Sequence, residues 1–311
     1  MKENWKEWGL AFLMAWVVPW VATSLLLPTE EPKAPVETTA AAEPVEISVI
    51  HGDAMVTMAL EEYLVGVLLG ELPDDFSLEA KKAQAVVART YALAAVERGI
   101  KHPGAVCTDS SCCQSWAEPE SYWSKEGVAS AKAAVEATRG QVISYEGKLI
   151  EATYFSGSGG RTEAAVAVWG SDIPYLQSVE SPGEEKAAWH SDRKDFTVAE
   201  FEQALGISLT GVPGTWFGVI TYTSGGGVKT ADICGTSFPG TELRTKLNLR
   251  STAFTLSASE QGVTVYTRGH GHRVGLSQYG ADAMALAGSD YQTILRHYYP
   301  GTTVEMYPSS S

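Results

Sequence analysis

Two consecutive stretches with helical periodicity constrain the fold of this chain most strongly. In the first, MALEEYLVGVLLGEL, leucine and valine recur at helical spacing after Thr57, a favourable N-cap residue, and Glu71 falls on the same apolar face. Pro73 ends this segment, because the residue before a proline resists helical geometry. In the second, SLEAKKAQAVVARTYALAAVERG, Ser77 is the predicted N-cap and Gly99 the stop. The sequence therefore predicts two helices in direct succession.

Two charged residues fall on the apolar faces of these helices. Desolvation at the end of the first helix would raise the pKa of Glu71. An acid that stays protonated near neutrality suits a general acid that donates its proton to a glycosidic oxygen. Arg89 lies among apolar residues of the second helix, where an unpaired guanidinium is costly, and Glu71 is its nearest anionic candidate in sequence. Spacing alone allows either a catalytic acid or a structural ion pair.

The remaining sequence mixes short strand-like and helical segments. Helices are predicted over residues 128–139 and 196–205, and the runs QVISYEG and KLIEATYFS between them are β-like. The run WFGVITYTSGGGVKTADI alternates like a hairpin around a glycine loop, and GVTVYTRG is typical of a further strand. Because the order shows no regular βαβ period, the predicted class is α+β, with mixed helices and mostly antiparallel strands.

An uncharged stretch near the N-terminus predicts a membrane anchor. Residues 9–27 provide 19 positions without a charge, about what a helix needs to cross a hydrocarbon layer ~30 Å thick. The expected organisation is a short cytoplasmic head at 1–8, a transmembrane helix at 9–27, an extracytoplasmic linker rich in Pro, Glu, Ala and Thr at 28–46, and an ectodomain at 47–307. A cleaved signal peptide is the alternative. The expected localisation is the cell membrane, single-pass.

The balance of charges limits the class of ligand. A formal net charge of −14 and a pI near 4.9 argue against a nucleic-acid partner, because no basic face could neutralise its phosphates. With 311 residues, 44% of them hydrophobic, the chain can bury one large core or two smaller ones. A neutral or weakly charged ligand therefore fits it better.

Three of the cysteines crowd into one segment. Cys107, Cys112 and Cys113 lie within seven residues, shortly after His102. Thiolates with an imidazole are a natural ligand set for Zn²⁺. A Cys107–Cys113 disulfide is the equal alternative in an oxidising compartment, and free thiols are the third. Cys234 stands apart and is more typical of a small buried apolar residue.

Two further patterns, a group of histidines and a serine- and glycine-rich run, argue against a metal-dependent hydrolase and a serine hydrolase. His270 and His272, with His297 further on, lack a nearby acidic third ligand, which argues against a catalytic metal site. Ser156 stands where a nucleophile elbow requires glycine, so the SGSGG run predicts a loop whose backbone approaches a ligand.

Several blocks in order give a more specific signal. Nearly all of residues 48–304 are spanned by LEEYLVGVLLGELP, LEAKKAQAVVARTYAL, CTDSSCCQSW, YFSGSGGRTE, LRSTAFTL and GHGHRVGLSQYGADAMALAG…HYYPGT. Together they resemble the stage II sporulation protein D (SpoIID) family of sporulation lytic transglycosylases. The resemblance implies a glycan-binding groove and cleavage of the β-1,4 bond between N-acetylmuramic acid and N-acetylglucosamine in peptide-free peptidoglycan. This chemistry uses no water and requires no cofactor.

The resemblance also implies roles for single residues. Glu71 matches the catalytic glutamate, acting as acid on the leaving oxygen and then as base for the muramic 6-hydroxyl, which gives a 1,6-anhydro end. Cys107 and Cys113 fit the zinc pattern of some members, but Cys112 stands where histidine is expected, so His102 or Cys112 would complete the set around a structural zinc ion. The residues implied to bind the sugar are Arg89, Thr90, Tyr91, Ser156, Ser158, His272, Ser277, Gln278 and Tyr279.

Partners follow from the same resemblance. They are peptidoglycan glycan strands, a membrane-bound wall amidase that first removes stem peptides, and other engulfment proteins. Two alternatives remain open: a non-catalytic glycan-binding module that stimulates an amidase, and a metal-dependent wall hydrolase that uses the cysteine or histidine cluster. Core packing is an equally compatible role for His272 and Tyr279.

Overall fold

Helices and short strands alternate along the chain. The computed structural model describes residues 45–119, 124–187 and 190–308. The helices are α1 (Leu60–Glu71), α2 (Leu78–Arg98), α3 (Lys125–Ala137), α4 (Ala165–Trp169), α5 (Val198–Leu205), α6 (Gly240–Lys246), α7 (Gln278–Leu286) and α8 (Tyr291–Tyr298), with a 3₁₀ turn at Pro213–Thr215. The strands are β1 (Glu46–His51), β2 (Ala54–Ala59), β3 (Ala105–Cys107), β4 (Gln141–Tyr145), β5 (Lys148–Leu149), β6 (Tyr154–Phe155), β7 (Gly160–Arg161), β8 (Glu180–Ser181), β9 (Ser191–Thr197), β10 (Phe217–Tyr222), β11 (Val228–Ile233), β12 (Thr236–Pro239), β13 (Phe254–Ser259), β14 (Gly262–Arg268), β15 (Leu276–Ser277) and β16 (Thr303–Met306).

A hairpin leads into the first helix. Strands β1 and β2 pair antiparallel, and Thr57 lies opposite Ser48 in this ladder. The helix begins only at Leu60, with Ala59 at the N-cap. The predicted N-cap at Thr57 is therefore wrong, because the hydrogen bonds of the hairpin hold that residue extended.

Helix α2 follows the prediction. It runs between Ser77 at the N-cap and Gly99, whose left-handed φ of 59° ends the helix. Small alanines along its length allow the helices α1, α3, α7 and α8 to pack against it. The helix thereby becomes the central element of the larger core.

The strands form small, mostly antiparallel sheets. Three-stranded sheets have the orders β2-β1-β3, β16-β4-β5, β10-β11-β12 and β13-β14-β9. Parallel pairing joins β1 to β3 and β6 to β15. Helices interspersed with mostly antiparallel strands confirm the predicted α+β class.

Two hydrophobic cores are present in the described residues. The larger core includes the fully buried Leu64, Leu68 and Val86, which join α1 to α2. The smaller core is built by the segment between β9 and β14 and includes Phe201 and Val265. The predicted hairpin β10–β11 belongs to this second core.

The expected membrane anchor is not supported. Residues 9–27, from which it was inferred, lie outside the described residues, as do the head at 1–8 and nearly all of the linker at 28–46. Within the described part of the chain, no helix combines the length and apolar character needed to cross a bilayer. This finding overturns the expectation of a single-pass protein of the cell membrane, and that localisation is withdrawn.

Candidate functional site

Two glycines of helix α1 determine how the site is built. Gly66 and Gly70 lie about one helical turn apart, so both open the same face of the helix. A Cβ at Gly66 would overlap the Trp116 indole, and a Cβ at Gly70 would lie 2.7 Å from the Trp116 backbone nitrogen. The loop that carries Trp116 can therefore lie directly against the helix, where it reaches Glu71, the last helical residue.

Glu71 is a half-buried carboxyl with one oxygen held in place. The Ser115 backbone N–H donates to Oε1 at 2.7 Å, and the Tyr154 hydroxyl donates to the same oxygen at 2.9 Å. None of the described residues donates a hydrogen bond of standard geometry to Oε2. Burial raises the pKa of Glu71, and the donors of Ser115, Tyr154 and Gln278 oppose this rise without cancelling it. The result is an acid whose Oε1 is fixed, while Oε2 receives no hydrogen bond of standard geometry from the part of the chain that the structure describes.

A directed chain of hydrogen bonds leads from the core to Glu71. The buried Tyr63 hydroxyl donates to Gln114 Oε1 at 3.2 Å, and Gln114 Nε2 donates to the Tyr154 hydroxyl at 3.2 Å. Tyr154 therefore accepts one hydrogen bond and directs its single proton to Glu71. Burial raises the pKa of both tyrosines far above the usual value, so both remain neutral donors.

Gln278 brings a further amide to the same carboxyl. It is the first residue of α7 and is 5% exposed. The parallel pairing of β6 with β15 sets Leu276 opposite Tyr154, which brings the start of α7 to the site. The Gln278 amide acts to lower the pKa of Glu71, although its Nε2 forms no regular hydrogen bond with any described residue. Because an unpaired buried donor is costly, a ligand acceptor would be favoured here.

The sequence alone does not single out three residues of this site. Gln114 and Ser115 follow the cysteines in CTDSSCCQSW, and Tyr154 opens YFSGSGGRTE. Their place inside these blocks is the only signal that could have identified them, because nothing in their spacing relates them to Glu71.

His102, Cys107, Cys112 and Cys113 form a Cys–His cluster. Their ligand atoms all lie within 4.8 Å of one another. His102 Nε2 is 3.3 Å from Cys112 Sγ, and the sulfurs of Cys112 and Cys113 are 4.0 Å apart. Tetrahedral zinc places its ligands roughly 3.5–3.8 Å apart, so the set fits Zn²⁺ with all four positions occupied by protein. The cysteines are free thiols, and the alternative Cys107–Cys113 disulfide is not formed.

Arg89 lies inside the core and pairs with Glu61. Its guanidinium is fully buried and forms two bonds to that carboxylate, from Nε to Oε1 at 3.0 Å and from Nη2 to Oε2 at 2.5 Å. It also donates to the carbonyls of Gln141 and Val135. The expected partner, Glu71, is therefore wrong, because the packing of α1 on α2 places Glu61, and not Glu71, against the guanidinium.

Three other expected groove residues support the walls of the site from within. The Thr90 hydroxyl accepts a hydrogen bond from the Ile143 N–H at 2.9 Å. The hydroxyls of Ser158 and Ser277 donate to Oε1 of Glu184 at 2.8 and 2.6 Å. All of these side chains are buried, so their hydroxyls are used within the protein.

The other expected groove residues besides Gln278 are partly exposed, namely Tyr91, Ser156, His272 and Tyr279. The Ser156 carbonyl accepts a hydrogen bond from the Tyr279 N–H at 3.0 Å. The His272 ring packs on Trp169 and Phe155, with centroid distances of 5.3 and 5.7 Å. Burial lowers the pKa of His272 to about 4, so its ring is neutral near pH 7.

A cavity of about 540 Å³ opens beside the Cys–His cluster. Tyr91, His102 and Cys113 form part of its wall, and Trp169 forms another part. Thr153, the residue before Tyr154, also lines it. The cavity therefore lies next to strand β6, whose Tyr154 binds the Glu71 carboxyl. Its volume is typical of ligand pockets.

The chain is similar to known proteins over most of its length. A family model described as "SpoIID: Stage II sporulation protein" matches residues 51–145, which include Glu71 and the Cys–His cluster. The chain is 40% identical over 275 residues to stage II sporulation protein D of Bacillus subtilis (strain 168), covering 85% of this chain and 80% of that protein. Identity to the Bacillus amyloliquefaciens protein of the same name is 39% over 254 residues, covering 79% and 74%. A Bacillus subtilis (strain 168) protein named "Amidase enhancer" is 32% identical over 298 residues, covering 78% of this chain and 40% of that protein.

Proposed function

Since the chain belongs to the stage II sporulation protein D family, we propose that it is a peptidoglycan lytic transglycosylase acting in sporulation and engulfment. Its proposed substrate is the β-1,4 bond between N-acetylmuramic acid and N-acetylglucosamine in peptide-free glycan strands. The observation that carries the proposal is the Glu71 carboxyl, which is half-buried, has a raised pKa and has Oε1 fixed by Ser115 and Tyr154.

Glu71 acts first as the general acid. Its proton passes to the leaving O4 of N-acetylglucosamine as the bond from muramic C1 to that oxygen breaks. Oε2 carries the proton, because Oε1 already accepts two hydrogen bonds. The raised pKa keeps a larger share of Glu71 protonated near neutrality than a solvated glutamate would have.

Glu71 then acts as the general base. The carboxylate removes the proton of the muramic 6-hydroxyl as O6 forms its bond to C1, which closes the 1,6-anhydro ring and restores the acid. The hydrogen bonds from Ser115 and Tyr154 stabilise the negative charge that Glu71 carries between the two steps. One carboxyl serves both steps, so neither water nor the second carboxylate of ordinary glycosidases is required.

The proposed roles of the other groove residues follow their exposure. Gln278 Nε2 lies beside Glu71, forms no regular hydrogen bond with any described residue and would bind a carbonyl or hydroxyl oxygen of the sugar. Aromatic, hydroxyl and imidazole groups provide stacking faces and further hydrogen bonds. We assign substrate contacts to Tyr91, Ser156, His272, Gln278 and Tyr279, and support of the walls to Arg89, Thr90, Ser158 and Ser277.

The Cys–His cluster is proposed to hold a structural zinc ion. His102, Cys107, Cys112 and Cys113 would together fill the coordination positions of such an ion, so it would leave none for substrate and would supply structural order alone. The chain continues from Cys113 directly into Gln114 and Ser115, whose hydrogen bonds orient Glu71. An ion that fixes Cys113 would therefore also fix Gln114 and Ser115, and through their hydrogen bonds it would fix the position of the Glu71 carboxyl.

A second function is favoured by one comparison. The relative named "Amidase enhancer" suggests a domain that binds glycan and stimulates a cell-wall amidase without cutting glycan itself. An amidase is also the expected partner of the transglycosylase, because removal of stem peptides yields the peptide-free strand, and other engulfment proteins would join the two.

Product analysis separates the two functions. The full-length protein and its Glu71→Gln variant are incubated with peptide-free glycan strands, and released fragments are identified by mass spectrometry. The transglycosylase predicts fragments with 1,6-anhydro ends from the wild type and none from the variant. Binding of glycan by both proteins, with no release by either, would favour the glycan-binding module.

A further inference from the structure

The cavity beside the Cys–His cluster is largely apolar. Its floor is formed by small and branched aliphatic side chains, and the aromatic rings of Tyr91 and Trp169 line it. Such a surface suits methyl groups and the apolar face of a sugar ring. The aliphatic residues include Ala94, Ala95, Ile150, Ala152 and Ile173.

Two basic residues line this cavity, and they differ in how their charges are used. Arg98 is paired with Glu151 at 3.3 Å and donates to the Leu149 carbonyl at 2.9 Å. Lys101 donates from Nζ to the Cys112 carbonyl and, at 3.4 Å, to the Tyr91 hydroxyl. Among the described residues, no carboxylate forms an ion pair with Lys101.

Lys101 is an exposed cation, and no carboxylate among the described residues neutralises its charge. Its two neutral acceptors direct Nζ toward the cavity wall and leave its third proton for a ligand. A lysine without a carboxylate partner among the described residues of this cavity favours an anionic group over a neutral one.

Two residues that line the cavity are direct neighbours of residues at or near the Glu71 site. Trp169, one of its lining residues, packs on His272 with ring centroids 5.3 Å apart. Thr153 lines the cavity and is followed directly by Tyr154, whose hydroxyl binds the Glu71 carboxyl. We infer that a glycan seated at Glu71 would extend past Tyr154 toward this cavity.

We propose that the cavity is a subsite for a carboxylate-bearing amino sugar, in which Lys101 pairs with the lactyl carboxylate of a muramic acid residue. This assignment rests on the proposed function and deepens it. The lactyl methyl and acetamido methyl groups would pack on the aliphatic floor, and the carboxylate would meet Nζ.

The proposed subsite implies that an amide-hydrolysing reaction precedes glycan binding by this protein. In intact peptidoglycan the lactyl carboxyl is amide-linked to a stem peptide, so it is neutral and bulky. Hydrolysis of that amide leaves a free carboxylate, which is the group that Lys101 would bind. The cavity would therefore select the product of an amide-hydrolysing enzyme over uncut peptidoglycan.

Calorimetric binding tests the subsite without relying on turnover. Full-length Glu71→Gln protein is titrated with three oligosaccharides of equal length: one with free lactyl carboxylates, the same one with those carboxyls converted to primary amides, and a chitin oligosaccharide without lactyl groups. The same titrations are made with Lys101→Met added, and with Lys132→Met as the control, since Lys132 is exposed and does not line the cavity.

The free-carboxylate glycan is expected to bind about tenfold more tightly than the other two, the size of one charge-assisted hydrogen bond. Lys101→Met removes this preference, and Lys132→Met keeps it. Equal affinity for the three glycans, or a preference retained in Lys101→Met, overturns the subsite while the proposed cleavage by Glu71 stands. Absence of binding to all three glycans overturns the subsite and the proposed function together.

Discussion

The Tyr154 hydroxyl donates a hydrogen bond to Oε1 of Glu71 at 2.9 Å. These residues are 83 positions apart in the chain, and the tyrosine is itself held by Gln114 and, through it, by Tyr63. Burial favours the protonated form of Glu71, whereas this hydrogen bond favours the carboxylate. The proposed acid and base roles of Glu71 need both forms to be accessible, and the balance between burial and Tyr154 sets their proportion.

Tyr154→Phe is expected to shift the pH dependence of cleavage. Removal of the hydroxyl takes away a hydrogen bond to the carboxylate, so the pKa of Glu71 rises further. Because the first step needs protonated Glu71, the rate falls as pH rises through this pKa, and that descending limb should move to higher pH in the variant. The pH profile of kcat measures the shift.

Tyr307→Phe is the matched control for Tyr154→Phe. Tyr307 also donates its hydroxyl to a glutamate, Glu97 at 2.8 Å, but this pair is exposed. Its removal should leave the descending limb unchanged. A limb that stays in place in Tyr154→Phe, or moves to lower pH, would contradict the role of Tyr154.

Gly66→Ala is expected to destabilise the protein and to displace the loop that carries Trp116. The added methyl group would overlap the indole, and overpacking of this kind typically costs about 1–3 kcal/mol. Denaturant unfolding measures the loss. Gly214→Ala is the control, because nothing lies within 4 Å of the added Cβ there, and it should stay within about 0.5 kcal/mol of the wild type. Equal stability of both variants would show that the close approach at Gly66 is not required.

Arg89→Met is expected to act on stability. It leaves the Glu61 carboxylate inside the protein without its partner, and breaking a buried ion pair typically costs about 3–5 kcal/mol. The control is Arg139→Met, since the Arg139–Glu136 pair is exposed and such pairs contribute about 1 kcal/mol or less. A raised KM with an unchanged free energy of unfolding in Arg89→Met would contradict this structural role and would indicate that Arg89 binds substrate.

Removal of zinc is expected to lower thermal stability. Protein purified without added metal should contain about one zinc per chain, and a chelator should remove it with a fall in Tm. His102→Ala should lose the metal, whereas Cys234→Ser should keep it, because Cys234 lies outside the cluster. Zinc-free protein in which two of the cluster thiols no longer react with a thiol reagent would favour the Cys107–Cys113 disulfide.

Local features of the fold could be predicted from the sequence, and long-range features could not. Ser77 and Gly99 bound helix α2 as predicted, because the preferences of the N-cap position and of a left-handed stop act within one turn of the helix, although the Ser77 side chain forms no capping hydrogen bond with the described residues. Thr57 has the same local preference for an N-cap, but its pairing opposite Ser48 in the hairpin outweighs it. Propensity is weaker than a strand ladder that the local sequence does not reveal.

In the candidate site too, local features could be predicted from the sequence and long-range contacts could not. The apolar face of α1 predicts a desolvated Glu71, and the structure agrees that burial raises its pKa. Its hydrogen-bond partners could not be predicted, because Tyr154 reaches it through the pairing of β6 with a strand more than a hundred residues later. The sequence does not identify Glu61 as the partner of Arg89 for a related reason: the register of α1 against α2 depends on packing between the helices.

Glu71→Gln should remain folded, which makes it a sound probe of catalysis. The raised pKa means that the folded state binds the Glu71 proton more tightly than the unfolded state does. That contribution to stability is full below the unfolded pKa and is lost as pH rises through the folded pKa. Glutamine does not ionise, so the variant should be at least as stable as the wild type near pH 7, as denaturant unfolding can measure.

Cleavage of peptide-free glycan in water enriched in heavy oxygen tests the central claim most directly. The wild type should release fragments whose muramic ends carry no heavy oxygen and are lighter by one water than hydrolysed ends, because O6 and not water attacks C1. Glu71→Gln should release none. Heavy oxygen at C1 of the wild-type products, or full activity in Glu71→Gln, would contradict cleavage by a single carboxyl that serves as acid and then as base.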